Sequence, residues 1–396
     1  MSVAKRKRRR VALMVETSRA YGRGVLQGIS KYLQDNSHWS VRLQDRGLND
    51  PLPEWLRRWS LDGIIARIET QQLADSLHAL AVPVVNLSGI QNDPRFPIID
   101  TDDSQVADLA FQHFAERGFR NLAFCGYPGA SWSDTRLIQF EQRARAAGLS
   151  FQNFQSRPVG RKASATFTLA YETRALAHDR ELIAWLKTLP IPSGILAAND
   201  LRGQQLLGLC QELSIRVPDQ LAILGVDDDE LMCELTDPPL SSVQPDCERI
   251  GQTAASALEL LMHQPRRRTE DQLISPLGVG TRQSTEVLAI EDPLIVKAVR
   301  FIRENACSGI TVPDILRVVP LSRSGLERGF GQYLGRAPKA EILRLKLERA
   351  RELLRDTDLP LAEISTRCGF RHPEYFSSVF RDKVGVPPGR FRRSRN

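Results

Sequence analysis

Near the C-terminal end, two short stretches combine an apolar face with a row of side chains suited to nucleic-acid contact. In the first, Leu326 and Phe330 stand four residues apart, and Arg323, Ser324, Glu327, Arg328 and Gln332 point the other way on the same helix. In the second, Tyr375, Phe376, Val379 and Phe380 form the apolar set, read as core. Glu374, Ser377, Ser378 and Arg381 remain available. Guanidinium groups donate to guanine edges or phosphates, carboxylates accept from cytosine, and hydroxyls do either. On an ordinary surface the same side chains would be solvated and nothing more, so the elements that hold them matter.

Those elements read as two helix-turn-helix units. Thr311 caps a helix with Asp314 three residues on, and Ile315, Leu316 and Val319 give its apolar side. The chain breaks at Pro320-Leu321, and Ser322 opens the next helix. The pattern recurs in a helix over Pro360–Arg367 with Leu361 and Ile364 inward. A break follows at Cys368-Gly369-Phe370, with Gly369 suited to a left-handed cap. His372-Pro373-Glu374 then opens a helix with Pro in its first turn. Between the units, Lys339–Arg355 is one amphipathic helix, about 25 Å long. A spacer of that order holds two reading helices roughly one DNA turn apart.

Charge follows the same division. From Asp292 to the end there are 21 Lys/Arg against 12 Asp/Glu, whereas residues 1–291 carry 33 against 35. Six of those 33 sit in the tail Lys5–Arg10, so the body between is acidic. On charge alone, a basic segment on an otherwise acidic chain reads either as a solvated surface or as an electrostatic footprint for phosphate.

The run from Leu361 to Arg393 resembles the C-terminal signature of the AraC/XylS regulators. The framework Gly369-Phe370, Tyr375-Phe376, Phe380, Gly385, Pro387-Pro388 and Phe391-Arg392 carries the likeness, and Ser322–Phe330 resembles the family's first recognition helix. The resemblance implies base-facing positions at Ser324, Glu327 and Arg328, and at Pro373, Glu374 and Ser378. Arg323, His372 and Ser377 flank these, with Arg381 and Arg392 expected on phosphates. Two departures are noted. Pro320 stands where the family often has Gly, and Gly329 lies inside a recognition helix, where it costs about 1 kcal/mol of helix propensity.

Upstream, short apolar runs alternate with amphipathic helices. Strands are predicted at Val11–Val15, Gly63–Ala66, Val82–Leu87, Leu122–Gly126, Gly194–Ala197 and Leu221–Val226. Helices are predicted at Gly22–Gln34, Ser104–Arg117, Asp179–Leu189 and Leu201–Leu213. Such alternation implies βαβ units in doubly wound parallel sheets. The domain organisation read from this is a basic tail over 1–10, an α/β domain over 11–280, a linker over 281–292 and an all-α domain over 293–396.

The α/β part resembles the LacI/GalR regulators and the related two-lobed periplasmic sugar-binding proteins. The likeness is strongest in Gly194–Gly203, Leu221–Glu230 and Pro238–Val243. It implies a sugar site between lobes, with Asn199, Asp227 and Arg136 as ligand contacts. Carboxylates and amides suit vicinal hydroxyls, guanidinium groups donate back, and an aromatic face such as Trp132 covers C–H patches. Glu16, Arg67, Ser88 and Asp100 join the candidates by strand-end placement alone. Asp200 and Asp228 read rather as helix caps.

Fusion of such a sensor to an AraC-type end resembles the xylose-operon class of regulators, which makes D-xylose the expected ligand, another pentose or related sugar remaining open. The implied partners are double-stranded promoter DNA, RNA polymerase and a second copy of the chain, with activation favoured over repression. No phosphate-binding loop, GxSxG elbow or HExxH motif is present, so an enzyme is not expected, nor a cofactor or metal. The apolar segment after Lys5–Arg10 is too short for a signal-peptide core, and no run spans a bilayer, so a cytoplasmic protein without membrane contact is expected. The six scattered cysteines then read as free thiols.

Overall fold

The structure, a computed structural model, describes residues 8–36, 39–44, 52–87, 93–155, 180–264 and 269–393. The chain divides into two compact units. One is Met1–Ala115 with Phe119–Val287, and the other is Glu116–Gly118 with Leu288–Asn396.

The first unit holds a four-stranded parallel sheet, a six-stranded sheet parallel but for one edge strand, and a two-stranded pair. In the first lobe the order is β2 (Trp39–Gln44), β1 (Arg9–Met14), β3 (Gly63–Ala66), β4 (Val84–Asn86). β3 and β4 are buried along their whole length, as is β1 from Val11 on, which is why an unbroken apolar run finds them. α1 (Ala20–Asn36) covers one face, and α2 (Trp55–Arg58) and α3 (Gln71–His78) the other. The second lobe has the order β12 (Gly278–Gly280), β10 (Ser241–Gln244), β9 (Leu221–Val226), β8 (Ser193–Ala197), β6 (Asn121–Gly126), β7 (Ser150–Gln155). Only β12 runs antiparallel to its neighbour. α4 (Asp103–Ala115) and α5 (Ser131–Ala146) accompany this sheet, and α6 (Arg180–Thr188) and α7 (Asp200–Glu212) pack into its other core.

The chain passes between lobes at β5 (Ile99–Thr101), which pairs in parallel with β11 (Gln272–Ile274). It also passes ahead of α9 (Cys247–His263), which follows β10 and the short α8 (Glu230–Leu235) and packs back into the first-lobe core. Strands β2, β5, β7, β10, β11 and β12 escape the sequence reading. All but β10, which lies between β12 and β9, are edge or crossing strands; all six are three to six residues long and lack a continuous apolar run. β7, Ser-Phe-Gln-Asn-Phe-Gln, shows instead the mixed pattern of an edge.

Part of the stretch read as a linker is built into the second lobe. Ser284 and Thr285 are fully buried. The Ser284 hydroxyl accepts from Ser241 N at 2.8 Å and donates to Ile223 O at 2.7 Å, and Thr285 Oγ1 lies 2.8 Å from His113 Nε2. Its polar composition reflects satisfied buried hydrogen bonds and not solvent exposure. Asp292 caps the next helix, accepting from Leu294 N and Ile295 N.

The second unit is helical: α10 (Pro293–Asn305), α11 (Val312–Val318), α12 (Arg323–Leu334), α13 (Pro338–Asp356), α14 (Leu361–Arg367), α15 (Pro373–Val384) and α16 (Pro388–Arg393). It has two cores. Ile295, Ile302, Ile315, Leu326 and Phe330 belong to the first, and Ala350, Leu354, Ile364, Phe376 and Phe380 to the second. α13 serves both, through Ile342 in one and Leu347 to Leu354 in the other. The turn Glu116–Gly118 completes this unit, with Arg117 O accepting from Ala289 N at 2.8 Å.

Candidate ligand cluster and nucleic-acid interface

The carboxyl ends of the parallel strands collect the polar groups of the first unit. Glu16 follows β1, Arg67 follows β3, Asn199 follows β8 and Asp227 follows β9. Open α/β sheets offer their ligand positions at such ends. Ser88, placed after β4 by the same logic, lies outside the described residues.

At the centre is Arg136 on α5, with its side chain 7% exposed. Its Nε donates to Asp103 Oδ1 at 2.7 Å and Nη1 donates to Ala198 O at 2.5 Å. Its guanidinium lies 5.0 Å from the Trp132 ring centroid, a cation–π contact one turn back on the helix. Against the cost of burial, the carboxylates of Asp103, Asp227 and Asp100 hold the guanidinium above its ordinary range. Burial in turn pushes the Asp103 carboxyl up to about 7, opposed by Arg136 and reinforced by Asp100 and Asp227. One buried cation is thus bonded to one carboxylate and acted on by two more, contributed by different elements.

Asp100 extends the cluster into the first lobe. The Tyr21 hydroxyl on α1 donates to Asp100 Oδ1 at 2.6 Å. Burial raises that phenol well above its usual value, and Asp100 adds to the shift. Arg67 pairs with buried Glu69 at 2.5 Å and feels Tyr21, Asp100 and Glu16. Glu16 accepts from the Ser18 hydroxyl and lies 3.7 Å from Arg19. The sequence candidates Glu16, Arg67, Asp100, Trp132, Arg136 and Asp227 therefore fall into one chain of charged and aromatic neighbours.

Two assignments change. The cap of α7 is Asn199 and not Asp200, because Asn199 Oδ1 accepts from Arg202 N at 3.0 Å. That oxygen also lies 3.3 Å from the Tyr127 hydroxyl, whose ring carries the Arg202 guanidinium at 4.4 Å. Asp200 is a buried crosslink, accepting from the Ser242 hydroxyl at 2.5 Å and Asp229 N at 2.8 Å. Burial, with Asp227 beside it, holds its carboxyl well above the usual range. Asp228 likewise pairs with Arg282 at 2.7 Å and caps nothing. Tyr21, Asp103 and Tyr127 were missed. Each sits within five residues of a named candidate, but their types carry no pattern that sets them apart from core or surface.

In the second unit, α11–α12 and α14–α15 form the two predicted helix-turn-helix pairs. Ser322 caps α12, accepting from Gly325 N at 3.1 Å, and the Thr311/Asp314 capping box opens α11. Arg323, Ser324, Glu327 and Arg328 are all exposed on α12, with Arg323 paired to Glu327 at 3.1 Å. The glycine inside this helix has a packing reason. A Cβ at Gly329 would stand 2.3 Å from Ile295 Cδ1, so any other residue would force the buried Ile295 side chain to shift where α12 lies against α10.

On the second pair, His372 occupies the N-cap position of α15 and Pro373 its first turn. His372, Glu374, Ser378 and Arg381 are exposed, and Pro373 and Ser377 are half-buried. Phe376 and Phe380 are fully buried, as expected, but Tyr375 is 56% exposed and is not core. Arg392 also departs from expectation. It is half-buried, and its guanidinium donates to Leu359 O. A group so engaged ties α16 to the start of α14 and is not a free phosphate ligand.

Buried charge also organises the spacer helix. Glu341 is completely buried between Arg336 at 2.5 Å and Arg344 at 2.9 Å, and Arg344 reaches Glu116 at 2.9 Å. Among the described residues no group of side chains is arranged to hold a metal, and no helix is long and apolar enough to cross a membrane.

Comparison with known proteins accounts for nearly the whole chain. A XylR N-terminal domain matches residues 10–104, a periplasmic binding protein-like domain residues 111–285, and a helix-turn-helix domain residues 315–394. The Xylose operon regulatory protein of Escherichia coli (strain K12) is 33% identical over 98% of this chain and 97% of its own. That of Haemophilus influenzae is 30% identical over 97% of this chain and 98% of its own. The solved structure of a xylose-binding transcription activator superposes with a TM-score of 0.60 at 31% identity, covering 99% of both chains. The two-lobed α/β sensor, the helical DNA-binding end and the absence of an enzyme's role are thereby shown together: the chain belongs to the family of xylose operon regulatory proteins, which are transcription regulators.

Proposed function

We propose that this regulator binds D-xylose at the strand ends around Arg136 and, in response, activates promoters of xylose genes. The observation that carries the sugar reading is the buried Arg136 guanidinium bonded to Asp103, with the charges of Asp227 and Asp100 acting on it and Trp132 on its face. A pentose presents hydroxyls in vicinal pairs on a ring with apolar C–H faces. Carboxylates accept from the hydroxyls, a guanidinium donates to them, and the indole covers a C–H face. Asp227, Asp100, Glu16 and Arg67 complete the contacts. Asn199, whose carbonyl oxygen holds the start of α7, is the positioning residue among them. The relatives' names supply the choice of xylose over other pentoses.

On the DNA side, Arg323, Ser324, Glu327 and Arg328 of α12 read one major-groove segment. His372, Pro373, Glu374, Ser377 and Ser378 at the start of α15 read the next, with Arg381 on phosphate. Nineteen residues of α13 span about 28 Å, a spacing compatible with successive turns of one face of the duplex. The protein acts as a homodimer and contacts RNA polymerase. Sugar and DNA binding are coupled, so each raises the other's affinity by the same factor.

The test is calorimetric titration of the full-length protein with D-xylose, L-arabinose, D-ribose and D-glucose, with and without promoter DNA. Selective xylose binding, lost in Asp227→Ala and tightened by DNA, supports the proposal. Equal affinities with and without DNA refute the coupling, and failure to bind xylose refutes the choice of sugar.

A further inference from the structure

We propose, building on the DNA-reading role above, that Tyr375 is a specificity residue of the second recognition helix and reads a thymine by packing its ring on the C5-methyl group. The starting point is a large aromatic side chain that folding leaves in water. Phe376, its neighbour, is fully buried, and so is Phe380 one turn on; their rings pair at 5.7 Å, and Phe380 meets Phe391 at 5.5 Å. Tyr375 lies about 100° around the helix from Phe376 and stays 56% exposed. Among the described residues nothing hydrogen-bonds its hydroxyl.

The ring is exposed but supported. Phe370, itself 7% exposed and packed on Phe376 at 5.2 Å, stands behind Tyr375 with ring centroids 6.2 Å apart. That leaves one edge against a fixed wall and the remaining apolar surface outward. A tyrosine so placed offers a large contact area with only two side-chain torsions to order, which suits recognition.

Its place on the helix decides what it meets. His372 is the N-cap of α15, so Tyr375 is the third helical residue, in the turn that a recognition helix directs at base edges. It stands about 100° from Glu374 and about 60° from Ser378, so the three share one outward face. Exposed cations flank this face: Arg371 before the helix, and Arg381 beyond its second turn. These are the natural partners of the phosphates that wall the groove, which leaves Tyr375 for its floor. There, Glu374 accepts from cytosine N4, the serine hydroxyls serve either sense, and the C5-methyl of thymine is the one apolar feature a base edge presents.

The experiment selects binding sites from a duplex pool with a randomised centre. It uses the full-length protein with D-xylose present, as wild type, Tyr375→Phe and Tyr375→Ala. Wild type and Tyr375→Phe are expected to enrich the same thymine, and Tyr375→Ala to lose preference at that position alone. Replacing that thymine by deoxyuridine should weaken wild type about four-fold, the worth of one buried methyl, and leave Tyr375→Ala unchanged. Equal deoxyuridine losses in wild type and Tyr375→Ala would overturn the proposal, since another group would then read the methyl. So would a uniform loss over all sequences with a shallower salt dependence, which marks a phosphate contact. Loss of preference in Tyr375→Phe at that position would also overturn it, by assigning the role to the hydroxyl. A wild-type protein that enriches no sequence would overturn the DNA-reading role and this inference together.

Discussion

Replacing Arg136 by methionine isolates the central ion pair of the ligand cluster. Methionine keeps an unbranched side chain beneath Trp132 but deletes the charge. The Asp103 carboxyl loses the 2.7 Å bond from Nε, and Ala198 O loses its donor. The pair is little exposed, 7% on Arg136 and 13% on Asp103. Removing one partner of a buried pair costs about 3–5 kcal/mol, mostly because the other charge is left stranded.

Here the stranded group can take a proton, so the cost depends on pH. Burial already holds the Asp103 carboxyl at about 7 in the intact protein, and without Arg136 it rises further. A carboxyl raised above its unfolded value, about 3.9, contributes stability that is greatest below that value and lost as pH rises through the folded one. In wild type that loss is nearly complete just above pH 7; in the variant it continues. Below pH 7 the two proteins should differ by a steady amount of about 1.5–3 kcal/mol, the worth of hydrogen bonds donated by the charged guanidinium. From pH 7 to 9 the gap should widen, by up to about 1.4 kcal/mol per unit. All five tryptophans, Trp39, Trp55, Trp59, Trp132 and Trp185, belong to the first unit, so urea unfolding followed by their fluorescence reports that unit alone. A gap that stays flat or narrows between pH 7 and 9 would refute the account of Asp103 as the partner left charged.

Gly329→Ala should destabilise the second unit by about 1–3 kcal/mol, against the roughly 1 kcal/mol that helix propensity would add, because the new Cβ meets Ile295; thermal melting followed by circular dichroism gives the sign. Arg381→Ala should weaken binding to all DNA sequences alike and reduce the salt slope by about one, whereas Arg392→Ala should lower stability with the slope unchanged, since its guanidinium is tied to Leu359 O; fluorescence anisotropy across a salt series separates the two. Glu341→Gln should cost about 3 kcal/mol or more, because Arg336 and Arg344 lose their buried counter-charge. Against burial, those two arginines hold Glu341 below its usual value, so its contribution in wild type should be lost only as pH falls below the ordinary glutamate range, which an acid unfolding curve measures.

What could be read from the sequence was what local chemistry fixes. Central strands such as β3 and β9 announce themselves because both faces are buried, so every residue must be apolar. Caps such as Thr311 and Ser322 act within three residues of themselves, and the glycine and proline punctuation of the helix-turn-helix pairs acts over similar distances. Polar residues on a helix face are visible by spacing, which is why Ser324, Arg328, Glu374 and Ser378 are found exposed where expected. Tertiary structure decided everything that depends on a neighbour far along the chain. Asp103 and Arg136 are 33 residues apart, and only the packing of α4 on α5 makes them a pair. Thr285 becomes a buried hydrogen-bonding group because it returns to His113, 172 residues earlier. A side chain at Gly329 would meet Ile295, and Arg392 is withdrawn from solvent by Leu359. Tyr375 and Phe376 are adjacent and both aromatic, and their composition alone cannot say which turns inward. The rotation of α15 against Phe370 and Phe391 does, because a helix can bury only the side that its neighbours cover.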